Sequence, residues 1–464
     1  MDPLSLGQIA KFAGGSVSGG GADATTARIS TDSRTLQPGD LFVPLRGDNF
    51  DGHRFIRQAS ERGAAGAMVE ENWKGEAPAG FALIRVPDTL IGYQALAANY
   101  RQSLSLKVIA ITGSNGKTST KDFVAATLAR KFRVTKTEGN FNNHVGLPQT
   151  MLAANREDEI AVWEIGMNHP GEIAALARLA APDLAIITNV GIAHIEFMGS
   201  REAIAEEKGA LAEAVASNGT LILNADDPFS ESIAKRTHAK VVLAGIGNGS
   251  IRATDISQSP TGSEFTILEE AHRCRAQLPV PGIHMVQNAM LAVAAGRVFN
   301  LSLEECAVGL ASTPLTKARL QIREIDGIQF IDDSYNANPD SMKAALRTLV
   351  ELDSDGRRIA VLGEMGELGA ESERGHREVG EAAAQMRIDE LIAVGSMGAT
   401  IARAAEKAGL KKSVEVASHQ EAAELLEKDA VSGDLVLIKG SRSARMERVL
   451  EEFARRRRAE EVTL

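Results

Sequence analysis

The 464-residue chain is short of several things, and each shortage narrows its function. It has two cysteines, Cys274 and Cys306, far apart and in no metal-like spacing. That argues against a disulfide framework and suits a reducing cytoplasm. Aromatic residues make up 4%, too few for a broad surface that stacks single-stranded nucleic acid. A net charge of −10 also argues against a general nucleic-acid binder, although a local basic pocket can still hold an anion. No apolar run is long enough to span a membrane. The start, Met1 to Ala10, lacks a basic segment and a long apolar core, so no signal peptide is expected.

What is present reads as an ordinary globular composition, 44% hydrophobic and 24% charged. The length exceeds one core, and two to four domains are expected.

The chain is organised around residues 107–120. Lys107 to Thr112 is an apolar run rich in Val and Ile, which predicts a buried strand. Gly113, Ser114, Asn115 and Gly116 form a turn, Lys117 and Thr118 follow, and Ser119 enters a helical pattern through Phe123, Val124 and Leu128. Strand, glycine turn, Lys-Thr and helix make a phosphate cradle. Lys117 can reach the β- and γ-phosphates of a nucleotide, and the Thr118 hydroxyl can sit on magnesium. The stretch is not a full Walker A motif, because Ile111 stands where that motif has its first glycine.

From Val108 onward, strands alternate with helices, which predicts largely parallel sheets. Glu164 ends the apolar run Ile160–Val162–Trp163, and a carboxylate there needs a cation or hydrogen bonds to stay charged. Magnesium is the economical partner; a salt-bridged structural glutamate is the plainer reading. His194 follows the strand-like run Leu184–Val190. Lys208 follows Glu206 and Glu207 on a helix and by itself reads as a surface lysine paired with its neighbours. Residues 251–280 alternate like antiparallel strands.

Near the N-terminus, Asp32–Ser33–Arg34 reads either as a capped turn or as a hydroxyl and guanidinium that hold a sugar or phosphate. Leu41 to Leu45 reads as a strand. A third unit repeats the strand–helix alternation without a Gly-x-Gly-x-x-Gly signature. Its strand ends offer Asp333, the acidic loop Gly363–Gly369, and Lys439–Gly440–Ser441–Arg442. The expected fold is therefore α/β in three domains. These are a small N-terminal unit over 1–85, a central P-loop ATPase-like sheet domain over 86–314, and a C-terminal Rossmann-like domain over 315–464.

Taken together these motifs resemble the Mur ligases of peptidoglycan synthesis over essentially the whole chain. The loop Thr112–Ser119 carries the superfamily likeness. The stretches Asp332–Pro339, Gly363–Gly369 and Lys439–Arg442 are similar to the branch that adds D-alanyl-D-alanine to UDP-N-acetylmuramoyl-tripeptide. The Asp-Asn-Pro-Arg motif of the diaminopimelate-adding branch is absent. Asp32–Arg34 and Asp51–His53 resemble a uridine-nucleotide-binding domain.

The resemblance implies ATP and Mg2+ as cofactors and an acyl phosphate mechanism in a cytoplasmic, monomeric ligase. The loop residues Gly113 to Ser119 would hold ATP, with contacts from Asn288, Arg319 and Asp333. Thr118 and Glu164 would hold one magnesium and His194 a second. Lys208 would match a lysine that several family members carbamylate, so that Lys117, His194 and Lys208 form the catalytic set. Ser33 and Arg34 would bind the uridine substrate, and Asn336 and Asn338 the dipeptide. Two points depart from the family pattern or stay open. Met285 stands where the family commonly has asparagine, and a family asparagine near residue 140 corresponds to Asn140 or Asn143. A sister amino-acid ligase, a folylpolyglutamate-synthetase-like ligase and a non-catalytic ATP-binding module remain alternatives.

Overall fold

The computed structural model of the chain describes residues 1–47, 49–314 and 316–463. Three sheets carry the architecture. The central one follows from the buried Val/Ile/Leu runs, which need cover on both faces and so favour parallel strands with helical crossovers. It has nine strands. Val134–Lys136, Ile160–Glu164, Lys107–Thr112, Leu184–Ile187, Thr220–Asn224, Lys240–Ile246 and Ile251–Ser259 run parallel in that spatial order. Gly262–Glu269 and His272–Leu278 then add antiparallel, as the alternation over 251–280 predicts.

Strand order fixes where a ligand can sit. From Lys107–Thr112 the chain first builds strands on one side, then crosses to Leu184–Ile187 on the other. Neighbouring crossovers diverge at its carboxyl end and leave a crevice there. The C-terminal sheet repeats the device in six strands. Leu435–Lys439 inserts between Ile328–Asp333 and Arg358–Leu362, so Asp333 and Lys439 end adjacent parallel strands and pair in register.

The N-terminal sheet has five short strands. Its strand at Leu41–Phe42 is shorter than the expected Leu41–Leu45 run. Pro44 has no amide hydrogen, so the ladder cannot continue through it. Helix Thr89–Gln102 bridges the first two units: Asn99 Nδ2 donates to Phe12 O (2.7 Å) and Tyr100 Oη to Ala154 O (2.9 Å). Among the described residues no helix is long and apolar enough to cross a membrane.

The link between the second and third units is pinned to the nucleotide-loop helix, Lys117–Leu128. Asp122 on that helix is 1% exposed, and its Oδ2 accepts from both the backbone N (3.2 Å) and Oγ1 (2.7 Å) of Thr316. Its Oδ1 accepts from Lys136 Nζ at 2.7 Å, with Lys121 Nζ 3.5 Å away. Burial alone would raise this carboxyl pKa, but the two lysines and Thr316 outweigh it and hold the pKa low. A lowered native pKa contributes stability above the unfolded value of about 4, lost as pH falls through the native value. Asp122→Asn keeps the shape but uncouples the lysines, and should cost about 3 kcal/mol near neutral pH. Urea melts from pH 7 to pH 3 should show wild type losing more stability on acidification than the variant. Parallel pH profiles would refute this account.

Candidate active site

The crevice at the end of Lys107–Thr112 opens into a cavity of about 710 Å³ between the central and C-terminal sheets. Its floor is the glycine loop. Gly113 runs so close to the next strand that a Cβ there would lie 1.8 Å from Thr188 Oγ1. Gly116, at φ +79°, caps the helix Lys117–Leu128 and has the Asn288 amide 2.6 Å from where a Cβ would stand. Only glycine accepts both approaches. Ser114 Oγ accepts from Gly191 N (2.8 Å), and Asn189 Oδ1 accepts from Asn115 N (2.9 Å), so the loop is held from the neighbouring strand end. Ser119 also lines the cavity.

Lys117 Nζ donates to Gly113 O at 2.7 Å and so lies across the loop. Burial lowers its pKa, and Glu164 partly offsets that shift. Glu164 is 3% exposed, and the strand Ile160–Glu164 delivers it beside the loop. Its Oε2 accepts from Thr118 Oγ1 and its Oε1 from Asn142 Nδ2, both at 2.8 Å. Hydroxyl and carboxylate oxygens side by side next to an anion cradle are the hard donors that suit magnesium, whose shell phosphates and water complete. Among the described residues no group of three His, Cys, Asp or Glu side chains is clustered to hold a metal unaided. Asn140 and Asn143 are the candidates in this loop for the family's asparagine. The residue that holds Glu164 is Asn142, whereas Asn143 Oδ1 accepts from Val145 N and Gly146 N and so starts the helix Gly146–Ala153. Only the fold distinguishes neighbouring asparagines in one polar loop.

The opposite wall comes from the C-terminal unit. Arg319 donates to Thr118 Oγ1 at 3.0 Å and stacks over Tyr335 at 4.2 Å. Asp333 Oδ2 accepts from Lys439 Nζ at 2.5 Å, and Lys439 also donates to Asn336 O at 3.0 Å. Asn338 Oδ1 caps the helix Pro339–Glu351, and its Nδ2 donates to Asn115 Oδ1 in the glycine loop at 2.7 Å. Asp340 Oδ2 accepts from Ile192 N at 3.1 Å. His284 lines the cavity beside the buried Met285. Burial lowers the His284 pKa to about 4, so the ring is neutral at pH 7.

His194 sits at φ +61° and turns Nδ1 to within 2.7 Å of Glu367 Oε2. Glu367 is itself at φ +59°, in the acidic loop 363–369. Two strained residues from different sheets thus meet at the cavity edge. The sequence marked that loop as acidic but gave no sign of which glutamate meets the histidine.

Lys208 is not the surface lysine that its local sequence suggests. It is 1% exposed. Its acidic neighbours are engaged elsewhere: Glu207 accepts from Gly171 N and Ile173 N, and Glu206 pairs with Arg236. Among the described residues no hydrogen bond or ion pair reaches the Lys208 side chain. Burial, reinforced by the charge of Lys117, lowers its pKa well below the ordinary lysine value.

Ser33 and Arg34 are not brought to this cavity. Arg34 is 85% exposed at its side chain and pairs with Asp32 at 2.8 Å. That hydrogen bond lowers the Asp32 pKa to about 2, which is the capped-turn geometry. Together Lys117, Thr118, Glu164, His194, Asn288, Arg319, Asp333, Asn336 and Asn338 line one cavity, with Lys208 buried outside its lining.

Comparison with known proteins gives the chain a family. The chain matches the Mur ligase family catalytic domain over residues 25–100, the Mur ligase middle domain over 111–296 and the Mur ligase glutamate ligase domain over 318–442. It is 41% identical over 429 residues to the UDP-N-acetylmuramoyl-tripeptide–D-alanyl-D-alanine ligase of Bacillus subtilis, covering 92% of each chain. The crystal structure of MurF from Acinetobacter baumannii superposes with a TM-score of 0.90 at 32% identity, covering 98% of this chain and 99% of that one. The MurF ligase of Thermotoga maritima in complex with ADP superposes at 0.82 and 30% identity, covering 92% and 97%. With its three-domain α/β architecture and its anion cradle, the chain belongs to the Mur ligase family.

Proposed function

We propose that this chain is an ATP-dependent, ADP-forming amide ligase that joins D-alanyl-D-alanine to UDP-N-acetylmuramoyl-tripeptide. The product is the pentapeptide precursor of peptidoglycan. The observation that carries the reading is one cavity in which an anion cradle on one sheet faces Arg319, Asp333 and Lys439 from another. The activity named for the Bacillus subtilis relative and the ADP held by the Thermotoga maritima structure support it.

The chemistry asks for a carboxylate to become an electrophile. The terminal carboxylate of the tripeptide attacks the γ-phosphorus of ATP, the bond to the β-phosphate oxygen breaks, and ADP leaves an acyl phosphate. The dipeptide amine attacks the acyl carbon, a C–N bond forms, phosphate departs and the amine loses a proton. Lys117 and the loop amides bind the phosphates and offset the charge that builds on them. Asn288, Arg319 and Asp333 hold the rest of the nucleotide. Thr118 and Glu164 would hold one magnesium; His194, its Nδ1 facing Glu367, and Lys208 would hold another. Bound magnesium supplies further charge neutralisation at the phosphates.

Lys208 can serve as a ligand only if its charge reverses. Burial shifts the Lys208 amine towards its neutral form, and a neutral amine adds to CO2 to give a carbamate and a proton. Ser33 and Arg34 would bind the uridine end, and Asn336 and Asn338 would bound the dipeptide end. We set the domain limits at 1–85, 86–314 and 315–464; Leu315, at the second limit, lies outside the described residues. The working form is a cytoplasmic monomer.

The test is phosphate release from ATP in the presence of UDP-N-acetylmuramoyl-tripeptide, with and without D-alanyl-D-alanine. Release should need all three and yield a UDP-linked pentapeptide. Release driven only by another amino acid would move the chain to a sister ligase, and ATP binding without turnover would leave a non-catalytic module. Lys117→Ala should lower turnover by about 10²–10³-fold while the fold melts as before.

A second prediction separates the roles of Lys208. Enzyme stripped of CO2 should lose most activity and regain it with bicarbonate, and Lys208→Ala should be insensitive to both treatments. Carbon-13 bicarbonate should give a carbamate signal in wild type only. Activity indifferent to CO2 would remove the carbamate from the mechanism.

A further inference from the structure

D-alanyl-D-alanine brings a negative charge that the phosphate machinery does not account for. Its amine must reach the acyl carbon beside the glycine loop. Its carboxylate then lies about 7 Å away, the span of two extended residues, and needs a cation of its own.

The cavity wall offers five lysine and arginine side chains: Lys117, Arg201, Arg319, Lys439 and Arg442. Four are committed. Lys117 lies across the loop on Gly113 O, and Arg319 is fixed on Thr118 Oγ1 and Tyr335. Arg201 donates Nε to Val190 O at 2.8 Å and lies over the Phe229 ring, on the central-domain side. Lys439 is 3% exposed and bonded to Asp333 and Asn336.

Arg442 differs from Lys117, Arg319 and Lys439 in exposure rather than in free donors, since Arg201 and Arg319 also keep most of their N–H groups unbonded. Its side chain is 68% exposed, and its only side-chain partner among the described residues is Glu447 Oε1, at 3.1 Å from Nη1. Most of its N–H donors therefore remain available in the planar fork that matches a carboxylate. The backbone aims it. Arg442 N donates to Asn336 Oδ1 (3.4 Å), and Ser441 N donates to Glu364 O (2.9 Å). The root of the side chain is thus tied to loops at two neighbouring strand ends. Glu447, in the first turn of the C-terminal helix, pairs with the guanidinium.

We infer that Arg442 forms the carboxylate subsite for the incoming dipeptide, and so selects an amine acceptor that carries a free terminal carboxylate. The inference rests on the ligase reading above. Arg442 here is a binding and specificity residue that touches the substrate two residues from the reacting atoms.

The experiment compares D-alanyl-D-alanine with D-alanyl-D-alaninamide, which keeps the amine and methyl groups but loses the charge. Wild type should favour the acid by about 10- to 100-fold in kcat/KM, mostly through KM, as expected for one charged hydrogen-bonded contact. In Arg442→Gln the acid should lose that advantage, the ratio falling towards 1, while KM for ATP and for the tripeptide stays within about twofold. Arg442→Lys, which keeps the charge but not the fork, should fall between them. Equal use of acid and amide by wild type, or full discrimination by a folded Arg442→Gln, would overturn the subsite and leave the ligase reading standing. A rise in KM confined to ATP or the tripeptide would assign Arg442 to that substrate and also overturn the inference. Wild type that makes no pentapeptide would overturn the ligase reading first and the subsite with it. The wild-type comparison of acid and amide needs no variant, so a variant that fails to fold leaves the inference exposed to test.

Discussion

Glu164 places a carboxylate at the end of a buried strand with almost no access to water, and much of the site is arranged to tolerate it. The group is held by neutral donors, Thr118 Oγ1 and Asn142 Nδ2, while Thr137 Oγ1 accepts from its backbone N. Neutral donors satisfy the oxygens without cancelling the charge, so the site keeps a negative potential beside a loop built to attract anions. That pairing leaves hard oxygen donors beside an anion cradle, the chemistry that the proposed magnesium would use. A salt-bridged structural glutamate, the plainer reading, would show an arginine or lysine on its oxygens. Here the nearby Lys117 points instead at Gly113 O and feels Glu164 through space.

The second requirement is that two sheet ends meet. Each parallel sheet concentrates its polar side chains where its crossovers diverge. Neither set completes a site alone. Asn338 to Asn115, Asp340 to Ile192 N, Glu367 to His194 and Arg319 to Thr118 join them, and every one of these contacts touches the glycine loop, the segment after Leu184–Ile187 or the first turn of the nucleotide helix. Asp122 fixes the linker to the same helix one turn further on. The helix that follows the glycine loop is therefore also the anchor of the neighbouring domain.

Much of this was legible in the sequence because it is local. The strand, glycine turn, Lys-Thr and helix over 107–128 lie in one continuous segment, and parallel architecture follows from alternation of buried runs with helical ones. Asp333 and Lys439 were visible as strand-end residues, although their pairing depends on Leu435–Lys439 inserting between earlier strands. What was illegible depends on approach between distant segments. Asn142 cannot be told from Asn140 or Asn143 until its loop is folded over Gly166, which leaves no room for a Cβ beside the Asn142 amide. Lys208 looked solvated because Glu206 and Glu207 stand next to it. A helix separates neighbours by about 100°, so Glu207 turned to the helix start at Gly171 and Glu206 to Arg236, and the lysine was left alone in the interior.

Charge distribution resolves the remaining tension, that an acidic chain handles highly anionic substrates. A net charge of −10 would repel ATP and a UDP-linked peptide if it were spread evenly. Apart from Glu164, acids near the site are tied to cations or backbone donors: Asp333 to Lys439, Asp227 to Val190 N and Phe229 N, Glu172 to Asn168 N and His169 N. Each such bond draws a negative charge towards the protein's own donors. Lys117 then faces the nucleotide loop, and Arg442 stands at the rim with most of its donors unspent. On the proposed reading, the two ends of the reaction, phosphate and terminal carboxylate, would be met by cations of different kind. A lysine, a compact charge on a flexible stem, suits a phosphate that moves, and a planar guanidinium suits a carboxylate that does not.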